Sequence, residues 1–256
     1  MCGLRYHKRV LLQSELAYYA DLYSGFAQNH FARPAVRAFR LHLVKRILEQ
    51  TSAGHSSRVL SIGCGIGDTE LLLAPHVRSI VGIDPSPLGI RQAREDATKL
   101  GVRNAEFIEQ TLDDVTGRFD IICGIFVLHH MPDEFLARLP GRLEKLLVPS
   151  GVFYSLDPSL RRLSGAVGRL LIPRLMKKYQ TEGERELAAA DVAALFRSAG
   201  FQARTGMYDF GSTPVAGLFP GWRAGYRAAR KMDEVLLKIP VVRELGSNFE
   251  VIARKA

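Results

Sequence analysis

Three glycines at alternate positions, Gly63, Gly65 and Gly67, follow a short apolar run in 59-VLSIGCGIGD-68 and indicate a ligand-binding loop. Glycine adopts backbone conformations that other residues avoid, and it lets a ligand approach the main chain closely. A dinucleotide-binding loop has the spacing G-x-G-x-x-G, whereas the third glycine here comes one residue earlier. Asp68 follows at a predicted helix start, where a carboxylate would repel a pyrophosphate. The loop therefore favours a ligand that has a cationic group and no phosphate.

Asp84 ends the next predicted strand, 79-SIVGID-84, and supplies a second feature of a nucleoside site. A carboxylate at this position accepts hydrogen bonds from both ribose hydroxyls of a bound nucleoside. NAD sites share this property, so Asp84 indicates a nucleoside without choosing between cofactors. Together with the glycine spacing and Asp68, it matches S-adenosylmethionine, which becomes S-adenosylhomocysteine after methyl transfer, better than it matches a nicotinamide cofactor.

Candidate catalytic groups follow two later strands: His129 and His130 in the segment LHHM, and Asp157 at the end of 151-GVFYSLD-157. A histidine deprotonates a hydroxyl or a carbon acid near neutral pH, and methyl transfer needs such a base only when the acceptor must lose a proton. Packing in the turn explains the two histidines equally well, and an aspartate before a proline is also a turn signal. No G-x-S-x-G, H-E-x-x-H or P-loop motif is present, and no metal site is predicted.

Apolar runs alternate with amphipathic helical patterns after residue 57, which is typical of a mostly parallel sheet with helices on both faces. The predicted strands are 58–62, 79–84, 105–110, 119–128, 151–157, 201–210 and 247–255. The predicted helices are 8–28, 34–50, 68–75, 85–101, 132–147, 184–200 and 222–238, with an interruption of 132–147 at Pro140-Gly141. In open sheets of this kind, ligands bind at the carboxyl ends of the strands, where the glycine loop and Asp84 lie.

Five segments resemble the class I, Rossmann-like S-adenosylmethionine-dependent methyltransferases, of the group that includes ubiquinone- and menaquinone-biosynthesis enzymes. They occur in the family's order and spacing: 59-VLSIGCGIG-67, 81-VGIDPS-86, 106-EFIEQTLDDV-115, 119-FDIICGIFVLHHM-131 and 146-LLVPSGVFYSLDP-158. The resemblance implies an α/β fold with a seven-stranded, mostly parallel sheet, an N-terminal helical lid and helical insertions. It divides the chain into a helical cap over 1–57 and a Rossmann-like domain over 58–256, with insertions at about 158–183 and 211–246.

The resemblance also implies which residues contact the cofactor. Carried over position by position, they are Gly63, Cys64, Gly65, Gly67, Asp68, Asp84, Pro85, Ser86, Thr111, Leu112, Gly124 and Ile125. The glycines would hold the methionine moiety and the ribose, Asp84 the ribose hydroxyls, and Thr111 and Leu112 the adenine. One position departs from the family, because Ser61 stands two residues before the first glycine, where an acidic residue is common. The methionine ammonium is then left to backbone carbonyls, to Asp68 or to water.

Composition is typical of a globular protein, and the charge distribution predicts an anionic partner. Of the 256 residues, 47% are hydrophobic and 24% are charged, and no apolar run reaches the roughly 18 residues of a membrane span. Neither an apolar leader segment nor paired cysteines are seen, which predicts a reducing, cytoplasmic location. The net charge of +9 is uneven: residues 58–157 carry 10 Lys/Arg against 14 Asp/Glu, and residues 158–256 carry 17 against 9. A solvated basic surface explains this excess equally well.

The favoured interpretation is a methyltransferase that acts on a small or lipid-like acceptor. Methylation at oxygen or carbon is favoured over methylation at nitrogen. Segment 160-LRRLSGAVGRLLIPRLMKK-178 has six basic residues and no acidic one, and it predicts either peripheral contact with an anionic membrane or a lid with a solvated face. Tyr18, Tyr19 and Tyr23 are predicted either to close over a ligand or to pack within the N-terminal helix. The alternatives are an RNA or DNA methyltransferase, disfavoured because no nucleic-acid-binding module is recognised, and a degenerate partner protein, which Ser61 favours. No signal for an oligomeric state is present.

Overall fold

The computed structural model describes residues 30–165 and 185–256, which form one seven-stranded sheet covered by helices. The strands are β1 (Arg58–Ile62), β2 (Ser79–Asp84), β3 (Ala105–Glu109), β4 (Phe119–Ile125), β5 (Leu147–Pro158), β6 (Gln202–Asp209) and β7 (Asn248–Arg254). The helices are α1 (Pro34–Thr51), α2 (Asp68–Leu73), α3 (Pro87–Lys99), α4 (Asp133–Leu146), α5 (Ala189–Ser198), α6 (Ser212–Leu218), α7 (Arg223–Leu236) and α8 (Pro240–Arg243). The helix predicted over 8–28, with its three tyrosines, and residues 166–184 lie outside the described residues.

The strand order is β3-β2-β1-β4-β5-β7-β6, and the neighbouring pairs from β3 to β5 are parallel. Strand β7 runs antiparallel to both of its neighbours, β5 and β6. The predicted mostly parallel sheet is therefore confirmed. The chain progresses outward in one direction from β1 to β3 and in the other direction from β4, so a crevice is expected where the carboxyl ends of β1 and β4 meet.

Helices cover both faces of the sheet, as predicted. On one face, Leu143 of α4 and Phe196 of α5 pack with Phe153 of β5, and the rings of Phe153 and Phe196 are stacked 4.9 Å apart. On the other face, Phe39 of α1 meets the ring of Tyr208 edge-on at 6.1 Å. Helix α1 thus contributes to the core itself, and the division of the chain at residue 57 stays a prediction.

The predicted interruption at Pro140-Gly141 is wrong, because α4 is one continuous helix. Pro140 lacks a backbone donor and costs about 3 kcal/mol in a helix interior. Three leucines on one face of the same helix, Leu136, Leu139 and Leu143, are buried in the core, and each contributes about 1.5–3 kcal/mol. The packing of this face therefore outweighs the local cost of the proline.

Two predicted boundaries also move. Strand β4 ends at Ile125 and not at residue 128, because Phe126 has a φ of 55° and its amide donates to the carbonyl of Leu156 at 2.7 Å. Residues Leu128–His130 then form a single helical turn. The amides of Leu128 and His129 donate hydrogen bonds to Asp157 Oδ1. The helix predicted from residue 184 begins at Ala189, because the residues before it form a β-bridge beyond the end of β5.

The buried carboxylate of Asp233 forms hydrogen bonds that connect helix α7, in the second predicted insertion (211–246), with the segment that follows β6. Asp233 of α7 is fully buried, and its Oδ atoms accept hydrogen bonds from the amides of Phe210, Gly211 and Ser212 at 2.7 to 3.1 Å. These amides lie at the start of α6 and would otherwise lack partners, because the first turn of a helix has no internal acceptors. Asp233 therefore fixes the position of α6, which forms part of the site described below.

Candidate functional site

A cavity of about 400 Å³ lies at the carboxyl ends of β1, β2 and β4. Its walls come from the loop after β1, the start of α2, the end of β2, the turn after β4, and helices α1 and α6. Small-molecule sites have volumes of this order. The fold therefore brings together at one opening several segments that are far apart in the sequence, including the glycine loop and Asp84.

Nine of the predicted site residues line this cavity, and six do not. The nine are Gly63, Cys64, Gly65, Asp68, Asp84, Pro85, Ser86, Ile125 and His130. The six that lie outside the described walls are Gly67, Thr111, Leu112, Gly124, His129 and Asp157. The roles of all fifteen toward a ligand stay predictions.

The glycines of the loop are required in part by the protein's own packing. Gly63, Gly65 and Gly67 have φ values of 66°, 53° and 74°, which other residues rarely adopt. A Cβ atom on Gly63 would lie 2.6 Å from Val127, and one on Gly67 would lie 2.7 Å from the ring of Phe107. Gly67 is therefore demanded by close packing against β3, whereas Gly65 lines the cavity.

Replacing Gly67 by alanine is expected to lower the free energy of unfolding by about 2–4 kcal/mol, because the new methyl group meets Phe107 on a strained backbone. Denaturant titration measures this change. Gly141→Ala is a matched control: its Cβ position in α4 is open, so alanine there should stabilise the protein by about 0.5–1 kcal/mol. Equal effects of the two substitutions would contradict the packing assigned to Gly67.

Asp84 connects the glycine loop to the end of β2. Its Oδ2 accepts a hydrogen bond from the amide of Gly65 at 2.9 Å, and its Oδ1 accepts one from the amide of Ser86 at 2.8 Å. Burial raises the pKa of Asp84, and these two hydrogen bonds oppose the rise. A carboxylate has about four lone-pair sites, so Asp84 retains acceptor capacity for the hydroxyl groups of a ligand.

Glu70 of α2 is a second buried carboxylate in the wall, and the sequence analysis did not single it out. Its Oε1 accepts a hydrogen bond from the hydroxyl of Ser61 at 2.5 Å, whereas its Oε2 is buried without a hydrogen-bond partner among the described residues. Burial raises the pKa of Glu70 to about 7; the hydrogen bond from Ser61 opposes the rise, the charge of Asp68 adds to it, and Arg40 opposes it. Such a carboxylate is suited to a cationic or hydrogen-bond-donating group of a ligand.

Arg40 of α1 brings a positive charge to the same wall. Its Nε lies 2.7 Å from Asp68 Oδ2, and its Nη1 donates to the hydroxyl of Thr69 at 3.0 Å. The guanidinium also lies over the rings of Phe31 and Phe39, 5.4 and 5.3 Å from their centroids. Asp68 is thus paired within the protein, which weakens its predicted role as the partner of a ligand cation.

Of the two predicted histidines, His129 lies in the core and His130 lines the cavity. His129 is buried, and its Nδ1 lies 2.9 Å from Asp157 Oδ1, which also accepts a hydrogen bond from the amide of Leu128 at 3.0 Å. Asp157 is fully buried, and this burial raises its pKa well above the ordinary carboxyl range. His130 lines the cavity, with its ring centroid 4.0 Å from that of His129. Asp157 and His129 therefore hold the turn, and His130 is the histidine that a ligand can reach.

The remaining predicted positions have internal contacts. Thr111 is exposed in the turn after β3, and the carbonyl of Leu112 accepts hydrogen bonds from Arg142 of α4. Gly124 lies in β4, where a Cβ atom would be 2.8 Å from Val127. Packing and turn geometry account for these residues, and their contacts with a bound adenine or methionine moiety stay predictions.

The other residues of the wall were not predicted as site residues. They are His30, Phe31, Val36, Phe39, Arg40, Ile66, Thr69, Glu70, Phe126, Val127, Thr213, Ala216 and Gly217. Two signals were available in the sequence. Arg40 follows a core position of the amphipathic helix α1, and Glu70 comes three residues after the last glycine of the loop, close to the unusual Ser61.

Comparisons with known proteins show the family of this chain. A family model described as a methyltransferase domain matches residues 29–205. The protein named "Uncharacterized methyltransferase sll0829", from Synechocystis, is 28% identical over 172 residues, which cover 66% of this chain and 78% of that protein. A ubiquinone biosynthesis O-methyltransferase of Xylella fastidiosa is 28% identical over 194 residues, which cover 73% of this chain and 78% of that protein.

The fold is shared with solved methyltransferases. The crystal structure of magnesium protoporphyrin IX methyltransferase from Synechocystis, with bound S-adenosylhomocysteine, superposes with a TM-score of 0.58 at 16% identity, over 87% of this chain and 84% of that one. In the present cavity, the spare acceptor capacity of Asp84 and the unpartnered oxygen of Glu70 fit a ribose and an ammonium group. Because the family match spans well over half of its length, this chain belongs to the methyltransferase-domain family and is a class I, S-adenosylmethionine-dependent methyltransferase.

Proposed function

We propose that the chain transfers the methyl group of S-adenosylmethionine to a small lipophilic acceptor, at an oxygen or carbon atom. The observation that carries this proposal is the lining of the cavity, where Asp84 and Glu70 stand with apolar side chains from α1, α6 and the turn after β4. The carboxylates suit the cofactor, and the apolar side chains suit an acceptor with little charge. The name of the ubiquinone biosynthesis O-methyltransferase among the relatives supports the same class of acceptor.

When bound, S-adenosylmethionine supplies a methyl group that its sulfonium has already activated. The task of the chain is to align the acceptor with that methyl group and to exclude water. Asp84, held by the amides of Gly65 and Ser86, is preorganised to accept hydrogen bonds from the ribose hydroxyls. The rings of Phe39 and Phe126 form an apolar part of the wall, which would help to exclude water once the ligands are bound.

His130, at the end of the turn after β4, is a group in the wall that is suited to receive the acceptor's proton. The turn that carries it is held by Asp157, through the amide of Leu128 and the ring of His129. A phenol or an enol loses its proton to His130 as its oxygen or carbon bonds to the methyl group. Because a neutral amine needs no base before it attacks, a histidine at this position favours an oxygen or carbon acceptor.

An acceptor screen tests the proposed function. The protein is incubated with S-adenosylmethionine and a panel of phenols, quinols, enols, amines and total RNA, and the formation of S-adenosylhomocysteine is measured. We expect turnover with apolar phenols, quinols or enols and none with amines or RNA. Turnover confined to RNA would contradict the proposal, and a protein that binds the cofactor but methylates none of these compounds would support the degenerate alternative.

We further propose that the basic segment 160–178 contacts an anionic membrane, from which a lipophilic acceptor would enter. Leu160 and Leu163 are exposed near the basic Arg161, and the amide of Leu163 donates to the carbonyl of Leu245 in the second insertion. That insertion exposes more large apolar side chains among basic ones: Leu218, Phe219, Trp222, Met232, Val235, Ile239 and Val241, with Arg223, Arg227, Lys231 and Lys238. Within residues 30–165 and 185–256, no helix combines the length and low polarity needed to cross a bilayer.

Co-sedimentation with vesicles is expected to show binding to phosphatidylglycerol-containing membranes and none to pure phosphatidylcholine. Each basic residue near an anionic surface contributes about 1 kcal/mol, so the double substitution Lys177→Glu/Lys178→Glu should lower the partition coefficient at least about tenfold. Lys99→Glu, at the exposed end of α3, is the matched control and should have little effect. Equal binding to neutral vesicles, or an unchanged partition coefficient for the double variant, would contradict the membrane contact.

A further inference from the structure

Glu70 combines three features that a purely structural residue does not need. It is 4% exposed, it lines the cavity, and its Oε2 has no hydrogen-bond partner among the described residues. Leaving a buried polar atom without a partner costs about 1–3 kcal/mol, and more when the group is charged. A ligand that brings a donor or a cation to Oε2 would remove this cost.

The partner of the other oxygen gives Glu70 a fixed orientation. Ser61 of β1 donates its hydroxyl to Oε1 at 2.5 Å, and Ser61 is itself buried. Ser61 stands at the end of β1, two residues before the first glycine of the loop. In this chain, a serine at that position thus contacts a carboxylate that comes from the following helix.

The charges around Glu70 are compatible with the binding of one further cation. Asp68 of the same helix opposes ionisation of Glu70, and Arg40 of α1 favours it. Arg40, however, is engaged by Asp68 at 2.7 Å. The other titratable groups that sense Glu70 are the buried thiols of Cys64 and Cys123, whose pKa values are raised mainly by burial and further by this carboxylate. None of these groups donates a hydrogen bond to Oε2, and the positive charge of Arg40 is shared with Asp68.

We propose that Glu70 is the cation-binding subsite of this enzyme: its Oε2 receives the ammonium group of the cofactor's methionine moiety, and Ser61 positions the carboxylate. This inference rests on the proposed function, because it assigns a role within the cofactor site. It also gives Ser61 a role, since its hydroxyl fixes the orientation of the carboxylate that α2 supplies.

Cofactor binding should then be linked to a proton. Because burial raises the pKa of Glu70 to about 7 in the free protein, about half of the molecules carry a proton there at pH 7. An ammonium beside the carboxylate favours the ionised form, so binding releases about half a proton at that pH. Affinity therefore rises as the pH increases toward about 7 and levels off above it, where Glu70 is already ionised.

Calorimetric titration with two ligands tests the subsite. S-adenosylhomocysteine carries the ammonium group, whereas 5′-methylthioadenosine has the same nucleoside without the amino acid. Glu70→Gln is expected to weaken S-adenosylhomocysteine binding at least about tenfold at pH 7.5 and to leave 5′-methylthioadenosine binding within about twofold. For the unmodified protein, affinity for S-adenosylhomocysteine should rise at least about tenfold between about pH 5.5 and 7.5, and Glu70→Gln should remove this dependence. Ser61→Ala should weaken S-adenosylhomocysteine binding less than Glu70→Gln does.

The outcomes separate the subsite from the proposed function. If the unmodified protein binds S-adenosylhomocysteine with the same affinity at all pH values, or if Glu70→Gln binds it normally, the subsite is wrong while the cofactor assignment stands. An equal loss of both ligands in Glu70→Gln would mean that Glu70 is only structural, and it would also overturn the subsite. If the unmodified protein binds neither ligand, the proposed function fails and the subsite fails with it. If Glu70→Gln does not fold, the pH series on the unmodified protein is run with both ligands. The rise should then appear with S-adenosylhomocysteine and not with 5′-methylthioadenosine, because Asp84, whose pKa is also raised, would meet the nucleoside that both ligands share.

Discussion

Asp84→Asn is expected to weaken S-adenosylhomocysteine binding at least about 100-fold while the free protein stays folded. The substitution would remove the charge from the two hydrogen bonds that we propose Asp84 accepts from the ribose hydroxyls, and hydrogen bonds to a charged group each contribute about 1.5–3 kcal/mol. Burial already disfavours the charged form of Asp84, which is why its pKa is raised, so a neutral amide carries no charge penalty in the free protein. The asparagine oxygen can still accept from the amide of Gly65 or of Ser86.

Calorimetry measures the affinity of the Asp84 variant, and thermal unfolding of the ligand-free protein shows whether the loop is intact. Glu106→Gln, which neutralises an exposed carboxylate of β3, is the matched control and should bind normally. An Asp84→Asn protein that binds S-adenosylhomocysteine within about threefold of the unmodified one would show that Asp84 organises the loop without holding the ribose.

His130→Ala is expected to lower kcat by about 100- to 10,000-fold, the usual contribution of a positioned general base. The affinity for S-adenosylhomocysteine should change less than about threefold. The turn that carries His130 is held by hydrogen bonds to Asp157, which involve the amide of Leu128 and the ring of His129, and the substitution leaves these in place. The two effects together distinguish a catalytic residue from one that only shapes the cavity.

The rate is measured with an acceptor from the screen, at saturating S-adenosylmethionine, so that the pH dependence of cofactor binding does not contribute. The substitution His130→Ala should remove most of the rate that the unmodified protein shows. His55→Ala, at an exposed position before β1, is the control and should retain it. An unchanged kcat in His130→Ala would show that another group, or water, receives the proton that the acceptor loses.

The sheet and the glycine loop were predictable because their signals are local. Apolar runs separated by turns define the strands, and a glycine series directly after β1 marks the loop at its carboxyl end. Asp84 was found for the same reason, since it follows an apolar run at the end of β2. These patterns depend on backbone geometry and burial within a few residues, which a single sequence expresses directly.

The rest of the site depends on tertiary packing, which local sequence patterns do not specify. Glu70 reaches the cavity because α2 lies beside β1, where Ser61 meets its carboxylate. Arg40 reaches it because α1 packs on the sheet, although a basic residue on an amphipathic helix is expected to face solvent. Pro140 illustrates the reverse error, in which a strong local signal is overridden by the burial of a leucine face.

The glycine loop shows that one pattern can have two causes. The sequence analysis assigned all three glycines to ligand contact. The structure assigns Gly67 to packing against Phe107 and leaves Gly65 in the cavity wall, while Gly63 meets both Val127 and the cavity. Close approach of a ligand and close approach of a neighbouring strand both exclude a side chain, so the residue type alone does not separate them.

The central claim, that this cavity holds S-adenosylmethionine, is tested most directly by titrating the unmodified protein with S-adenosylhomocysteine in a calorimeter, with NADH titrated in parallel. We expect saturable binding of S-adenosylhomocysteine, with one ligand per chain, and no binding of NADH. This expectation rests on the glycine spacing, the acidic residue at the start of α2, Asp84 and Glu70. Binding of NADH, or of neither ligand, would contradict the account.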